Sequence, residues 1–175
     1  MTIHSDHPFP TEDDPVRRLR GRLGGAVALV TCGSGTDSDA GTGTGTGRVG
    51  LTVSSLMVAG GDPGRVLFLA DPDSELGESL SVGSRAVVQL LAWQHRDLAE
   101  AFAGTAPAPG GPFRTGAFVD SPWGPRLADA TAWASVTVDS LREVGWSLEV
   151  SALIDEVELG PDDDALQHRR GRYHR

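Results

Sequence analysis

Apolar residues in this chain recur mostly by alternation or in short unbroken runs, the two patterns that predict strands. Residues 26–32 (AVALVTC) read as a buried strand, and residues 47–58 (GRVGLTVSSLMV) as a second strand that becomes irregular near its serines. Residues 65–70 (RVLFLA) form a strongly apolar segment between two turn signals, Asp62-Pro63-Gly64 and Asp71-Pro72. Residues 85–92 (RAVVQLLA) predict the next strand. Two long β segments follow at 130–144 and 147–159; in the first, Trp133, Ser135 and Thr137 alternate with Ala134, Val136 and Val138. Helical spacing is rarer. Val16, Leu19 and Leu23 set a short helix over 16–23 with arginines on its other face. Ser74 suits an N-cap, followed by Glu75 and Glu78 in the first turn and by Leu76 and Leu80 four apart on one face. Residues 95–104 place Leu98, Ala101 and Phe102 inward, with Gly104 as the stop and a Pro/Gly loop at 105–112. Several β segments, short intervening helices and no regular βαβ repetition predict a mostly β fold, an antiparallel barrel with peripheral helices.

The remaining segments lack periodicity. Residues 1–15 mix Pro, Asp, Glu and His and are expected to be a disordered tail. Residues 33–47 (GSGTDSDAGTGTGTG) are expected to be a flexible Gly/Thr-rich hairpin loop, leaving residues 16–175 as one domain. A length of 175 residues with 39% apolar content supports one domain with a real core. Twenty-four Asp and Glu oppose 15 basic residues, and the net charge of -9 repels phosphate backbones and anionic membranes. Neither nucleic acid nor a membrane is therefore an expected partner. No apolar run approaches the roughly 20 residues of a membrane span. The N-terminus lacks the basic start and apolar stretch of a secretory signal, so a cytoplasmic setting is expected. The single cysteine, Cys32, reads as a small apolar strand residue.

Familiar hydrolase and NTPase motifs are missing: there is no zinc spacing, Walker A loop, GxSxG elbow or HExxH helix. The Gly-Thr repeat at 41–47 lacks the lysine of a phosphate loop and does not lead into a helix. His4, His7, His168 and His174 lie in the terminal segments, where solvated histidines are the ordinary case, and the acidic groups Asp13-Asp14 and Asp162 to Asp164 read as solvated turns.

One ordered set of segments remains: AVALVTC, GLTVSSLMVAGGDP, VLFLADPDSELGESL, RAVVQLLAWQHRDLAEAFAG and HRRGRYHR. Across residues 19–175 this set resembles the flavin reductase-like, FMN-binding split-barrel family in its actinobacterial type. In that family GLTVSS leaves the barrel wall beside the isoalloxazine ring. The resemblance implies that Thr52, Val53, Ser54 and Ser55 hold a flavin through peptide groups and small hydroxyls, which permit close backbone approach to a flat ring. It further implies cofactor-binding roles for Leu69 and Ala70 at the end of the apolar strand, and for Ser74 at the FMN phosphate. Gln89 stands where an Asn is usual, and Phe102, Ala103 and Gly104 border the flavin.

The chain departs from that family at three places. Asp71, Asp73 and Glu75 surround Ser74 and repel a phosphate dianion unless Arg85, Arg169 or Arg172 offsets them. A Gly-Asp-His segment is replaced by Val144-Gly145-Trp146, leaving Trp146 either to stack on a flavin or nicotinamide face or to fill the barrel mouth. Gly64 replaces the second proline of an Asp-Pro-Pro turn. The activity implied is reduction of FMN or FAD by NADH or NADPH, with reduced flavin passed to a monooxygenase. Hydride transfer between stacked rings needs no catalytic side chain. A homodimer is expected, with Trp123, Trp133 and Trp146 suited to its interface. Two other readings stay open: a non-catalytic module binding flavin or haem, and an interaction domain without a small ligand.

Overall fold

The computed structural model describes residues 14–34, 47–161 and 164–175. The expected tail and Gly/Thr loop fall mainly outside the described residues, as do His4 and His7. Asp14 and Pro15 belong instead to the first helix, α1 (Pro15–Leu23), where the Asp14 carboxylate accepts the Val16 N–H at 2.9 Å and Pro15 occupies the first turn.

The remaining elements are β1 (Gly25–Ala26), β2 (Ala28–Cys32), β3 (Val49–Val53), β4 (Met57–Ala59), β5 (Arg65–Ala70), α2 (Glu75–Ser79), β6 (Arg85–Leu90), α3 (Arg96–Phe102), β7 (Phe118–Val119), β8 (Arg126–Leu127), β9 (Ala132–Val144), β10 (Ser147–Leu159), β11 (Gln167–Arg169) and β12 (Arg172–His174). Seven of the strands form one antiparallel sheet in the order β3-β2-β6-β9-β10-β5-β4. Its two edge strands, β3 and β4, are consecutive in sequence, so the sheet curls until its edges meet. The Ser55 hydroxyl ties that seam, accepting the Leu69 N–H at 2.9 Å and donating to the Leu69 carbonyl at 3.2 Å. A curled sheet of this kind leaves little open strand edge.

Strand alternation divides the core in two. Val30, Val53, Phe68, Val88, Val136 and Val150 fill the barrel. On the outer face Leu29, Leu91, Leu127 and Leu166 pack with Leu98 and Phe102 of α3. β2 lies between these layers and is buried on both faces along its whole length. Cys32 sits in the barrel layer, 6% exposed, and burial pushes its thiol pKa up to about 11. A disulfide-exchange reagent at mildly basic pH is therefore expected to leave Cys32 unmodified until denaturant is added; rapid reaction in buffer would contradict this burial.

The structure corrects several boundaries. The first predicted strand splits at Val27, whose N–H turns away to the Leu166 carbonyl, so β1 pairs with β11 while β2 stays in the barrel. The second divides at Ser54 to Leu56 into β3, beside β2, and β4, beside β5. The helix expected over 95–104 is α3, preceded by a 3-10 turn at Trp93–His95. There the buried His95 accepts the Ala92 N–H through Nδ1 and meets Asp129 through Nε2, each at 3.0 Å. The small hairpins β7–β8 and β11–β12 are additional to the predicted elements.

Candidate functional site

Along β3, Val49, Leu51 and Val53 point into the barrel, which leaves Gly50, Thr52 and Ser54 on the outer face. Along β5, Val66, Phe68 and Ala70 point inward and Leu69 outward, 40% exposed. The seam therefore presents a shelf of small residues beside an exposed leucine. Ser54 is exposed at its centre, and Gly25 presses so closely that a Cβ there would lie 2.7 Å from the Ser54 carbonyl oxygen. Val53 and Ala70 keep their side chains in the core, so only their peptide groups are available to a ligand.

Three hydroxyls of this region are already engaged. Thr52 donates to the Ala99 carbonyl of α3 at 2.8 Å, and Ser55 closes the seam. Ser74 caps α2: its Oγ donates to the Asp71 carbonyl at 2.6 Å and accepts the Gly77 N–H at 3.1 Å. Asp71, Asp73 and Glu75 are exposed around it, and none forms a salt bridge among the described residues. This corner carries negative charge and a hydroxyl whose bonds are internal.

Strand register brings part of the predicted set together. Leu148 of β10 pairs with Ala70, so the β9–β10 turn projects at the rim where β5 leaves for the Asp71 to Ser74 corner. Gly145 turns the hairpin with φ 59° and Trp146 stands at its tip, 63% exposed. Of its two predicted roles, filling the barrel mouth is excluded by that exposure. Ser54, Ser55, Leu69, Ala70, Ser74 and Trp146 thus share one rim, while Thr52 lies farther down the shelf against α3.

Gln89 and Phe102 lie deeper than a ligand-contacting role requires. Gln89 is fully buried on the outer face of β6; its Oε1 accepts the Leu127 N–H at 2.7 Å and its Nε2 donates to Thr31 Oγ1 at 3.1 Å. It fastens the segment around Pro125 to the barrel. Phe102 forms edge contacts with Phe113 and Phe118, at ring separations of 4.9 and 5.9 Å, and packs on Gly50, where a Cβ would sit 2.8 Å from its ring. Ala103 and Gly104, just beyond, are exposed. Trp123 and Trp133 are half-buried within the chain: Trp123 donates to Asp155 at 2.8 Å, and the Arg126 guanidinium lies 4.8 Å above the Trp133 ring.

A cleft of about 480 Å³ adjoins the shelf at Gly25, lined also by Arg22, Leu23, Gly24, Gln167, Arg169 and His174. A second hollow of about 450 Å³ continues along Arg169, Arg170, Arg172 and His174. Of these arginines, Arg169 and Arg172 are ones the sequence marks, as a counter-charge to the acidic corner. Burial first, then Arg20 and His174, holds the His168 pKa below its ordinary value. The small outward residues and reachable peptide groups of the shelf fit a flat ring, whereas the Ser74 corner is a poor partner for a phosphate.

A seven-stranded barrel split at one seam, with a helix-flanked shelf beside it, is the architecture of the flavin reductase split barrels. A family model described as the flavin reductase-like domain matches residues 20–175, and the chain belongs to that family. Among solved structures, the NADH:FAD oxidoreductase SgcE6 of Streptomyces globisporus C-1027, in complex with NAD and FAD fragments, superposes with a TM-score of 0.77 at 21% identity, covering 91% of this chain and 90% of that one. The styrene monooxygenase flavin reductase SMOB of Pseudomonas putida S12 gives 0.75 at 21% identity over 92% and 96% of the two chains. The flavin reductase PheA2 in its native state gives 0.77 at 19% identity over 94% and 98%. No curated protein matches the chain.

Proposed function

We propose that this flavin reductase-like chain is an NAD(P)H-dependent flavin oxidoreductase that takes FMN or FAD on the shelf formed by Thr52, Val53, Ser54, Ser55, Leu69 and Ala70. The observation that carries this reading is the exposed Ser54 at the seam, flanked by Val53, whose side chain is in the barrel core, and by Ser55, whose hydroxyl is held by the Leu69 backbone. A bound flavin supplies a ring that accepts hydride from a stacked nicotinamide. The chain's own part is to position: Ser55 and Thr52 fix the shelf against β5 and α3, and Trp146 offers an exposed aromatic face at the same rim. No side chain is assigned a proton-transfer role. The reading includes a cytoplasmic homodimer, and it has the chain deliver reduced flavin to a monooxygenase, a step supported by the styrene monooxygenase flavin reductase SMOB and a nitrilotriacetate monooxygenase component B homologue from Mycobacterium thermoresistibile among its structural relatives.

The competing reading is a flavin carrier without turnover, favoured by the acidic Ser74 corner and by Trp146 in place of a histidine. Steady-state oxidation of NADH and NADPH with FMN or FAD separates the two. Nicotinamide consumption dependent on added flavin supports the oxidoreductase; tight flavin binding with no consumption supports the carrier. Ser54→Phe places a ring on the shelf at an exposed position. It is expected to change the melting temperature by no more than about 2 °C while weakening flavin binding about tenfold or more, read by flavin fluorescence.

A further inference from the structure

We propose that the phosphate or pyrophosphate of the bound nucleotide is held by an arginine cleft between α1 and the β11–β12 hairpin, formed by Arg22, Arg169, Arg170, Arg172 and His174, and not by the Ser74 corner. The proposal rests on the flavin reading above. Its first support is charge. All 15 basic residues of the chain are arginines, and eight of them lie in residues 14–26 and 164–175, in a protein whose net charge is -9. The two described carboxylates of those segments are used elsewhere: Asp14 caps α1, and Asp164 meets Arg175 at 3.6 Å. Arg22, Arg169, Arg170 and Arg172 form no salt bridge among the described residues. Guanidinium forks with no carboxylate partner suit a polyanion with several oxygens, and they suit it better than ammonium groups because the fork binds two oxygens at once.

The second support is construction. The Arg170 N–H donates to the Gly21 carbonyl at 2.8 Å and Arg169 Nε reaches the Arg22 carbonyl at 3.4 Å, so two chain ends distant in sequence are joined into one basic wall. Arg170 and Gly171 turn the hairpin with φ 52° and 75°, which sets β11 and β12 back to back with arginines at the bend. The third support is position. The cleft reaches the shelf through Gly25, whose close approach to Ser54 leaves no intervening side chain. A ring on the shelf therefore has a positively charged exit on the α1 side and a negatively charged one at Asp71, Asp73 and Glu75.

Binding of riboflavin, FMN, FAD, NADH and inorganic pyrophosphate to the full chain tests the assignment, comparing wild type with Arg22→Gln/Arg169→Gln and, separately, Arg172→Gln. Wild type is expected to prefer FMN over riboflavin by about tenfold or more at low salt, since riboflavin lacks the phosphate, and to lose that preference between about 50 and 500 mM salt. The double variant is expected to bind FMN about tenfold more weakly and riboflavin within about twofold of wild type. If FMN is unaffected and NADH weakens by that factor instead, the cleft holds the nicotinamide's phosphates. Equal affinities for riboflavin and FMN in wild type, together with unchanged NADH and pyrophosphate binding in both variants, overturn the proposal. Failure of the flavin reading looks different: no flavin binds wild type, while pyrophosphate binding that the arginine variants abolish still supports an anion cleft. Circular dichroism melts of both variants exclude unfolding as the cause.

Discussion

Gln89→Leu is expected to destabilise the protein by about 2–3 kcal/mol, a fall in melting temperature of roughly 5–10 °C. The side chain is fully buried and its amide serves both directions: Oε1 accepts the Leu127 N–H at 2.7 Å, while Nε2 donates to Thr31 Oγ1 at 3.1 Å and approaches the Pro125 carbonyl at 3.4 Å. Leucine has similar volume and removes the acceptor, so the Leu127 N–H is left buried and unpaired, the costly half of losing a hydrogen bond. Pro125 keeps a partner, because Thr31 Oγ1 donates to its carbonyl at 2.5 Å. Gln89→Glu retains the acceptor but sets a carboxylate against the Pro125 carbonyl and burial, and is expected to cost at least as much near neutral pH. Thermal melts check both variants. A change of less than about 1 °C for Gln89→Leu would contradict the fastening role and return Gln89 to the candidate ligands.

Phe102→Ala is expected to cost about 3–5 kcal/mol, measurable by urea unfolding. Its ring makes two aromatic contacts, with Phe113 and Phe118, which also lie 5.0 Å from each other, and it rests on the bare Cα of Gly50. Its loss opens a cavity between α3 and β3 at the level where Thr52 bonds to Ala99, so the shelf loses its backing as well as the core its packing. Ala103, the next residue, is exposed and Ala103→Ser is expected to change stability by less than about 0.5 kcal/mol. The contrast separates a packing role from a ligand-contacting role within one motif, since a residue that merely borders a cofactor leaves the stability of the free protein unchanged.

Much of the barrel was legible because its strands obey local rules. β5 and β10 begin and end where the apolar runs at 65–70 and 147–159 predict, and the Ser74 cap followed by two glutamates marks α2 correctly. What escaped is set by contacts distant in sequence. Val27 breaks the first strand because β1 joins β11 some 140 positions later in the chain, at Gly25 with His168 and Ala26 with Gln167. The β11–β12 hairpin has a local signal in the Arg-Gly pair inside HRRGRYHR, two residues at positive φ between short extended arms.

The candidate site was legible in the sequence as a segment and less so as a set of side-chain partners. GLTVSS does occupy the barrel seam, and alternation alone separates the outward Thr52 and Ser54 from the inward Val53. Sequence gives no means of knowing that Ser55 and Thr52 spend their hydroxyls on Leu69 and Ala99, because those partners come from other elements. The same holds for Gln89: its alternation places it on the outer face of β6, but nothing local says that residues 125–127 cover it. Ser74 illustrates a different limit. A serine that caps a helix and a serine that binds phosphate look alike in sequence, and here the cap accounts for both its bonds.

The central claim, a flavin shelf that supports hydride transfer, is tested most directly by mixing the FMN-loaded protein with NADH, and then NADPH, without oxygen while following the visible flavin band. Bleaching of the band with matching loss of nicotinamide absorbance is the expected result, with slower bleaching or less flavin bound in Ser54→Phe. A protein that binds no flavin, or a loaded one whose band stays unchanged with both donors, would contradict it.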